Sequence, residues 1–465
     1  MPAKNEERLV LVIATLASFF VPYLTSSISV ALPTIGSEFS LDAVSLGWVM
    51  SSYILATAIC IVPFGRIADI YGRKRLFLTG IILLTAGSLC ATIAWSAPAL
   101  IVCRIIQGAG GAMIFTTSVA IVTAVYPPTR RGWALGITLA SVYAGLSVGP
   151  FIGGILTGYL GWRSIFLVVV PLGLLVAWLT SRYVHTEWIE SPGARFDLTG
   201  SFLYGVSLFG LMYGMTLVPE LLSAGWLVTG AFFLGGFLWW ESRNSSPVLD
   251  ISVFRHNMAF TCSNLAAMIN YAATYAVAFL LSLYLQYTKG LGPETAGLIL
   301  VAQPVVQVIF SPSAGRLSDR IEPRIIACIG MALTAAGLLA FSFLTPETPI
   351  WSIVALLLIL GLGYALFSSP NTNAIMSSVD RRHYGVASSM VATMRAIGQL
   401  MSMAIAMMVF SVVMGPVQVV PEVFPQFLNS VRLVFFILGV LGILGIYASY
   451  ARGKIRGDNP VMDSG

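Results

Sequence analysis

Charge is what this sequence has least of. Only 9% of its 465 residues are Asp, Glu, Lys or Arg, against about a quarter in an ordinary soluble domain. So few charges cannot clothe the domains this length would suggest at about 150 residues each, which excludes a soluble globular protein. Histidine is almost missing: His185, His256 and His383 stand singly, with no His or Cys partner at ligand spacing, so no metal site is readable. The five cysteines (Cys60, Cys90, Cys103, Cys262, Cys328) fall in apolar runs without paired spacing and read as packing residues. No phosphate-binding loop ends in Gly-Lys-Ser/Thr, since the only Lys that follows a Gly is Lys454, succeeded by Ile455. An ATP-driven machine is thereby excluded. Nor can a Ser/His/Asp set be drawn, so an enzyme is not expected, and no cofactor is implied.

What the chain has instead is apolar length: 57% hydrophobic residues and a mean hydropathy of +0.88. A helix crossing about 30 Å of hydrocarbon needs roughly 20 apolar residues. Such stretches occur at 9–32, 44–64, 76–95, 99–125, 133–159, 164–181, 198–218, 221–240, 259–287, 295–314, 325–344, 350–377, 384–414 and 431–450. The expected fold is an all-α integral membrane protein of fourteen transmembrane helices. The longest gap, from Glu241 to Met258, is too short for a soluble domain. The first span follows a short polar tail without a small-residue cleavage site and reads as an uncleaved signal anchor to a plasma membrane.

An even number of spans puts both termini on one side. Of the 25 Lys and Arg residues, Arg163, Lys289 and Arg432 fall on the opposite side and Arg104 and Arg395 inside spans, which leaves 20 with the termini. Lysine and arginine concentrate in cytoplasmic loops, so both termini are expected in the cytoplasm. The same dispersal over many loops explains the net charge of +6 as topology and speaks against a nucleic-acid partner.

One loop pattern occurs twice. Gly65-Arg66-Ile67-Ala68-Asp69-Ile70-Tyr71-Gly72-Arg73-Lys74-Arg75 follows the second span, and Gly315-Arg316-Leu317-Ser318-Asp319-Arg320 follows the tenth. Both Gly and Asp recur at one offset, as a parallel duplication of a six-span unit would produce, with two extra spans between the copies. Gly65 lets the end of its span approach another helix, while Asp69 suits a cap on a facing helix and an ion pair with Arg73, a clasp that closes in one state and opens in another. A third pattern is Gly145-Leu146-Ser147-Val148-Gly149-Pro150-Phe151-Ile152-Gly153-Gly154 in the fifth span. Its glycines let backbones approach, and Pro150 allows a kink, so this helix can serve as a pliable contact between halves; a generic packing face explains the glycines as well.

Together with Arg104-Ile105-Ile106-Gln107-Gly108 in the fourth span, these loops and glycines resemble motifs A, B and C of the major facilitator superfamily, and within it the fourteen-span drug:proton antiporters. That resemblance covers nearly the whole chain. It implies two six-helix bundles, 1–181 and 258–465, joined by a 182–257 linker carrying the two extra helices. It also implies conformational roles for Gly65, Asp69, Gly72, Arg73, Gly145, Gly149, Pro150, Gly153, Gly315 and Asp319, and export of hydrophobic or drug-like compounds coupled to protons. The family's first span carries an Asp nine residues before the proline of its Ala-Leu-Pro segment; aligned on Ala31-Leu32-Pro33, this chain has Leu24 there.

Polar residues retained inside spans are costly in lipid and mark a path through it. The candidates are Arg104 with Gln107, Arg395 with Gln399, Tyr271 with Tyr275, Gln303 with Gln307, and Asn371. Each pair is spaced to share a helix face. Facing lipid would cost either arginine at least about 2.5 kcal/mol, so each is expected to face a watery cavity or to be pinned by backbone carbonyls. Two embedded guanidinium groups without an embedded carboxylate favour neutral or anionic amphiphiles, whereas the resemblance leans toward multidrug export. A transporter of one specific metabolite, without a carboxylate for proton coupling, fits the same residues. The expected partners are the lipid bilayer, a small amphipathic substrate and protons, with the protein a monomer.

Overall fold

A computed structural model describes residues 4–244, 247–249, 257–318, 320–379 and 384–453, with side chains left aside at 4–6, 128–129 and 384–386. The expected clasp residue Asp319 lies outside the described residues, as do Arg255, Arg381, Arg382, Lys454 and Arg456 of the charge reading.

Among the described residues, fourteen helices are long and apolar enough to cross a membrane: α1 (Glu7–Phe39), α2 (Ala43–Tyr71), α3 (Arg73–Thr92), α4 (Ala97–Val125), α5 (Arg130–Leu160), α6 (Arg163–Tyr183), α7 (Leu198–Thr216), α8 (Leu221–Glu241), α9 (Met258–Thr288), α10 (Pro293–Ser318), α11 (Pro323–Phe341), α12 (Ile350–Ser377), α13 (Ala387–Val413) and α14 (Pro421–Ala451). Each overlaps one of the expected spans, although α3, α7 and α11 end two or three residues before the apolar stretch does. Several begin at side-chain caps that satisfy orphan amides: Asp42 accepts from the Ser45 amide at 2.7 Å, Asp197 from Gly200 at 2.9 Å, and Asn257 from Phe260 at 2.9 Å. Asp42, a rim carboxylate, thus serves as a helix cap.

Helices α1 to α6 pack among themselves through the pairs α1–α5, α2–α4, α3–α4 and α3–α6. Helices α9 to α14 do the same through α9–α13, α9–α14, α10–α12, α11–α12 and α11–α14. The extra pair, α7 and α8, meets at Gly210 and Gly230, where a Cβ on Gly210 would come 3.0 Å from the Gly230 Cα. Helix α7 leans on α2, with the Tyr204 hydroxyl donating to the Ala58 carbonyl at 3.2 Å. Leu221, Phe232 and Trp239 on α8 are exposed, a face suited to lipid.

The two six-helix groups touch where α2 meets α13, α5 meets α10 and α1 meets α9, all toward the face opposite the termini. There Gly47 abuts Met407, the Gln286 amide donates to the Val30 carbonyl at 2.9 Å, and an isolated bridge joins Asp42 to Gln418.

Candidate functional site

At mid-depth the two groups part around a cavity with an empty volume of about 800 Å³, counted out to its mouth. Six of the residues expected on the path line it: Tyr271, Tyr275, Gln303, Gln307, Arg395 and Gln399. Tyr364 of α12 joins them, and α1, α2 and α5 contribute Thr25, Ser26, Met50, Leu146 and Pro150. The pair spacings on α9, α10 and α13 are why these side chains converge, because i,i+4 residues stack on one helix face.

Two of the four second-half helices lining the cavity lose regular geometry at that depth. Helix α9 is interrupted at Tyr275, where the next amide, Ala276, donates to the Ser402 hydroxyl of α13 at 3.0 Å. Helix α10 is interrupted at Val301, one turn before Pro304, whose missing N–H leaves the Leu300 carbonyl without its usual donor. Such breaks expose backbone polar groups, tolerated in a membrane only where they line a cavity or are buried in protein.

Arg395 is the only charged side chain among the lining residues. Its guanidinium carbon lies 5.2 Å from the centre of the Tyr271 ring, and Tyr271 meets Tyr364 edge to face at 5.7 Å. Tyr143 of α5, on the opposite side of the cleft, is also within electrostatic range of Arg395. Neither Tyr143 nor Tyr364 stood out in the sequence, where one tyrosine in an apolar run looks like any other.

Arg104, Gln107 and Asn371 are not brought to the lining. Arg104 is completely buried between α2, α3 and α4. It donates to the Gln107 side-chain oxygen at 2.8 Å and to the Val49 carbonyl at 3.3 Å, and lies 4.5 Å from the Tyr53 ring centre. Gln107 in turn donates to the Ser88 hydroxyl at 3.1 Å. Tyr275 lies within electrostatic range of Arg104, so the cavity wall stands between this buried network and the cavity. Asn371 ties α12 to α9 through the Ser263 carbonyl at 3.0 Å. Leu24, at the position of the family's carboxylate, is fully buried.

The glycines of α5 divide between two neighbours. Gly145, Gly149 and Gly153 face α1: a Cβ on Gly145 would lie 2.6 Å from the Phe19 carbonyl oxygen, and one on Gly153 would lie 2.8 Å from Ser27. Gly154 and Pro150 face α10 across the cleft, where a Cβ on Gly154 would come 2.5 Å from the Pro293 carbonyl oxygen and one on Gly297 would strike that of Pro150. Gly297 was not among the sequence candidates.

On the terminal face the expected clasp takes a different form. Asp69 pairs with Arg73 at 3.0 Å, but among the described residues its carboxylate caps no facing helix. Its backbone carbonyl instead accepts from the amides of Glu190 and Ser191, and Arg73 donates its amide to the Trp188 carbonyl. Arg73 also pairs with Glu190. The amide cap at the start of α3 comes from Glu187, which accepts from Lys74 at 2.8 Å. Gly72 adopts φ +114°, and a Cβ there would strike Glu187. Gly65 has open space around it and Gly315 meets only Ser369 of its own group. Gly65 and Gly315, which open the two copies, thus meet nothing of the other group on this face, while the opposite face is sealed.

The family model of the Major Facilitator Superfamily matches residues 14–254 and 264–460. The chain belongs to that superfamily. Membership makes it a secondary transporter, a multi-pass membrane protein whose cargo is a small molecule. Among relatives, the multidrug resistance protein Stp of Mycobacterium tuberculosis is 34% identical over 411 residues, covering 86% of this chain and 75% of its own. The riboflavin transporter RibZ of Clostridioides difficile is 29% identical over 392 residues, 84% of this chain and 85% of its own. A solved bacterial homologue of the human lysosomal transporter Spinster superposes with a TM-score of 0.72 at 18% identity, covering 98% of this chain and 100% of its own. That likeness extends to the superfamily fold.

Proposed function

We propose that this transporter exports hydrophobic, drug-like compounds across a plasma membrane by alternating access, driven by the proton gradient. The carrying observation is the mid-depth cavity between two six-helix groups that are sealed on one face and apart on the other. The resistance name of Stp supports the cargo class. On the positive-inside reading both termini are cytoplasmic, so the unsealed face is the cytoplasmic one, from which an exporter loads. The moving bodies are the bundles 1–181 and 258–465, with 182–257 as linker, and the working unit is a monomer. Tyr271, Tyr275, Gln303, Gln307, Arg395 and Gln399 contact substrate; Arg104, Gln107 and Asn371 hold the helices behind them. Gly65, Asp69, Gly72, Arg73, Gly145, Gly149, Pro150, Gly153 and Gly315 serve the conformational change.

A second reading, transport of one specific metabolite, is favoured by the absence of any carboxylate among the lining residues and by the substrate named for RibZ. Accumulation of a panel of amphipathic antibiotics and dyes in cells expressing the chain separates the two. Lowered accumulation of several unrelated compounds, restored by a protonophore, is the expected result. An effect confined to one compound supports the second reading, and no effect on any contradicts export.

A further inference from the structure

We infer that the cavity selects anionic aromatic compounds, with Arg395 as the residue that receives their acidic group. This rests on the export reading and goes further by assigning the charge of the cargo.

Arg395 projects into the cavity without an ion-pair partner or a protein hydrogen bond among the described residues, and no lining residue is acidic. A guanidinium offers five N–H donors and no acceptor. Its surroundings here are aromatic: the Tyr271 face lies below it, and Tyr364 stands against Tyr271. Ring faces attract the cation but take none of its hydrogen bonds. The neighbouring polar groups do not supply acid either. Gln307 and Tyr275 on the wall are neutral groups, an amide and a phenol, and not acids.

Behind that wall lies a second guanidinium, Arg104, fully buried and likewise without a carboxylate partner. Two cations in a region of low dielectric raise the potential at the cavity and repel a lipophilic cation. A carboxylate or sulfonate on an aromatic body answers both features at once. The acid makes a bidentate, charge-assisted pair with Arg395, and the rings pack against Tyr271, Tyr275 and Tyr364. A neutral ligand gains the second term alone, and a cation pays repulsion against it.

The test is equilibrium binding to the full chain in nanodiscs of neutral lipid, read by fluorescence anisotropy. The probes are fluorescein and rhodamine 123, which share a xanthene skeleton and carry opposite charge at neutral pH. Wild-type protein is expected to bind fluorescein at least about tenfold more tightly. Arg395→Gln is expected to weaken fluorescein about tenfold or more and to tighten rhodamine 123 as the repulsion falls, and Arg395→Lys to restore part of the lost fluorescein affinity. Equal or reversed preference in the wild type overturns the assignment, and that comparison does not depend on any variant folding. Unchanged fluorescein affinity in a monodisperse Arg395→Gln protein also overturns it. A protein that binds and exports rhodamine 123 but ignores fluorescein sinks the anion site and leaves the export reading standing. Binding of neither dye contradicts both.

Discussion

Gly297 of α10 lies flat against the carbonyl oxygen of Pro150 on α5, with no room between them for a Cβ. This contact joins the two six-helix groups on the face opposite the termini, and Gly154 against Pro293 repeats it one turn away. Small residues are what let backbones meet in a membrane, where packing rather than the hydrophobic effect holds helices together.

Gly297→Val should therefore keep that face from sealing. With Ala43, which is fully buried beside the Asp42–Gln418 bridge, changed to cysteine in a chain otherwise free of cysteine, labelling by a membrane-impermeant maleimide should rise several-fold when the valine is added. Unchanged labelling would mean that the helices absorb the extra carbons elsewhere.

Arg104→Ala is expected to act mainly on stability. It strips the Gln107 side-chain oxygen of its donor and the Val49 carbonyl, which keeps its helix bond, of a second one, at about 1–3 kcal/mol for the buried oxygen left unsatisfied. A lowered thermal midpoint, with dye affinity in the surviving folded protein within about threefold of wild type, is the expected pair of results. Full stability with lost transport would instead make Arg104 part of the moving machinery.

The contrast between Glu187 and Arg75 separates a cap from a surface ion pair. Glu187→Ala removes the acceptor for the Lys74 amide at the start of α3 and should cost about 0.5–2 kcal/mol. Arg75 pairs with the same carboxylate at 3.7 Å but its side chain is 79% exposed, so Arg75→Ala should cost less than about 1 kcal/mol. Thermal midpoints measured side by side check the order, and an Arg75 effect equal to that of Glu187 would contradict it.

Asp69→Asn weakens the pair with Arg73 at 3.0 Å without touching the cavity. Maximal transport should fall, by about tenfold if the loop limits the conformational cycle, while the half-saturating dye concentration changes less than about twofold. A change in half-saturation alone would tie Asp69 to binding.

The spans were legible because hydropathy is a local property, and each of the fourteen stretches reappears as a helix. Direction was not legible. Arg104 and Arg395 look alike in sequence, yet one is sealed among α2, α3 and α4 while the other faces the cavity. Which neighbour a helix face meets depends on the packing of the whole bundle. The same holds for Gly297, one glycine in a glycine-rich chain, and for Glu187, whose bond to the Lys74 amide spans more than a hundred residues of sequence. The α5 glycines were readable as a close-packing face because their four-residue spacing carries the geometry with it.

The most direct test of the whole account uses purified protein in sealed liposomes under an imposed pH gradient, with anionic, neutral and cationic dyes measured separately. Gradient-driven dye flux that collapses when the gradient is dissipated, and that is fastest for the anionic dye, is the predicted result. No gradient-driven flux of any of the three by folded protein would contradict proton-driven export.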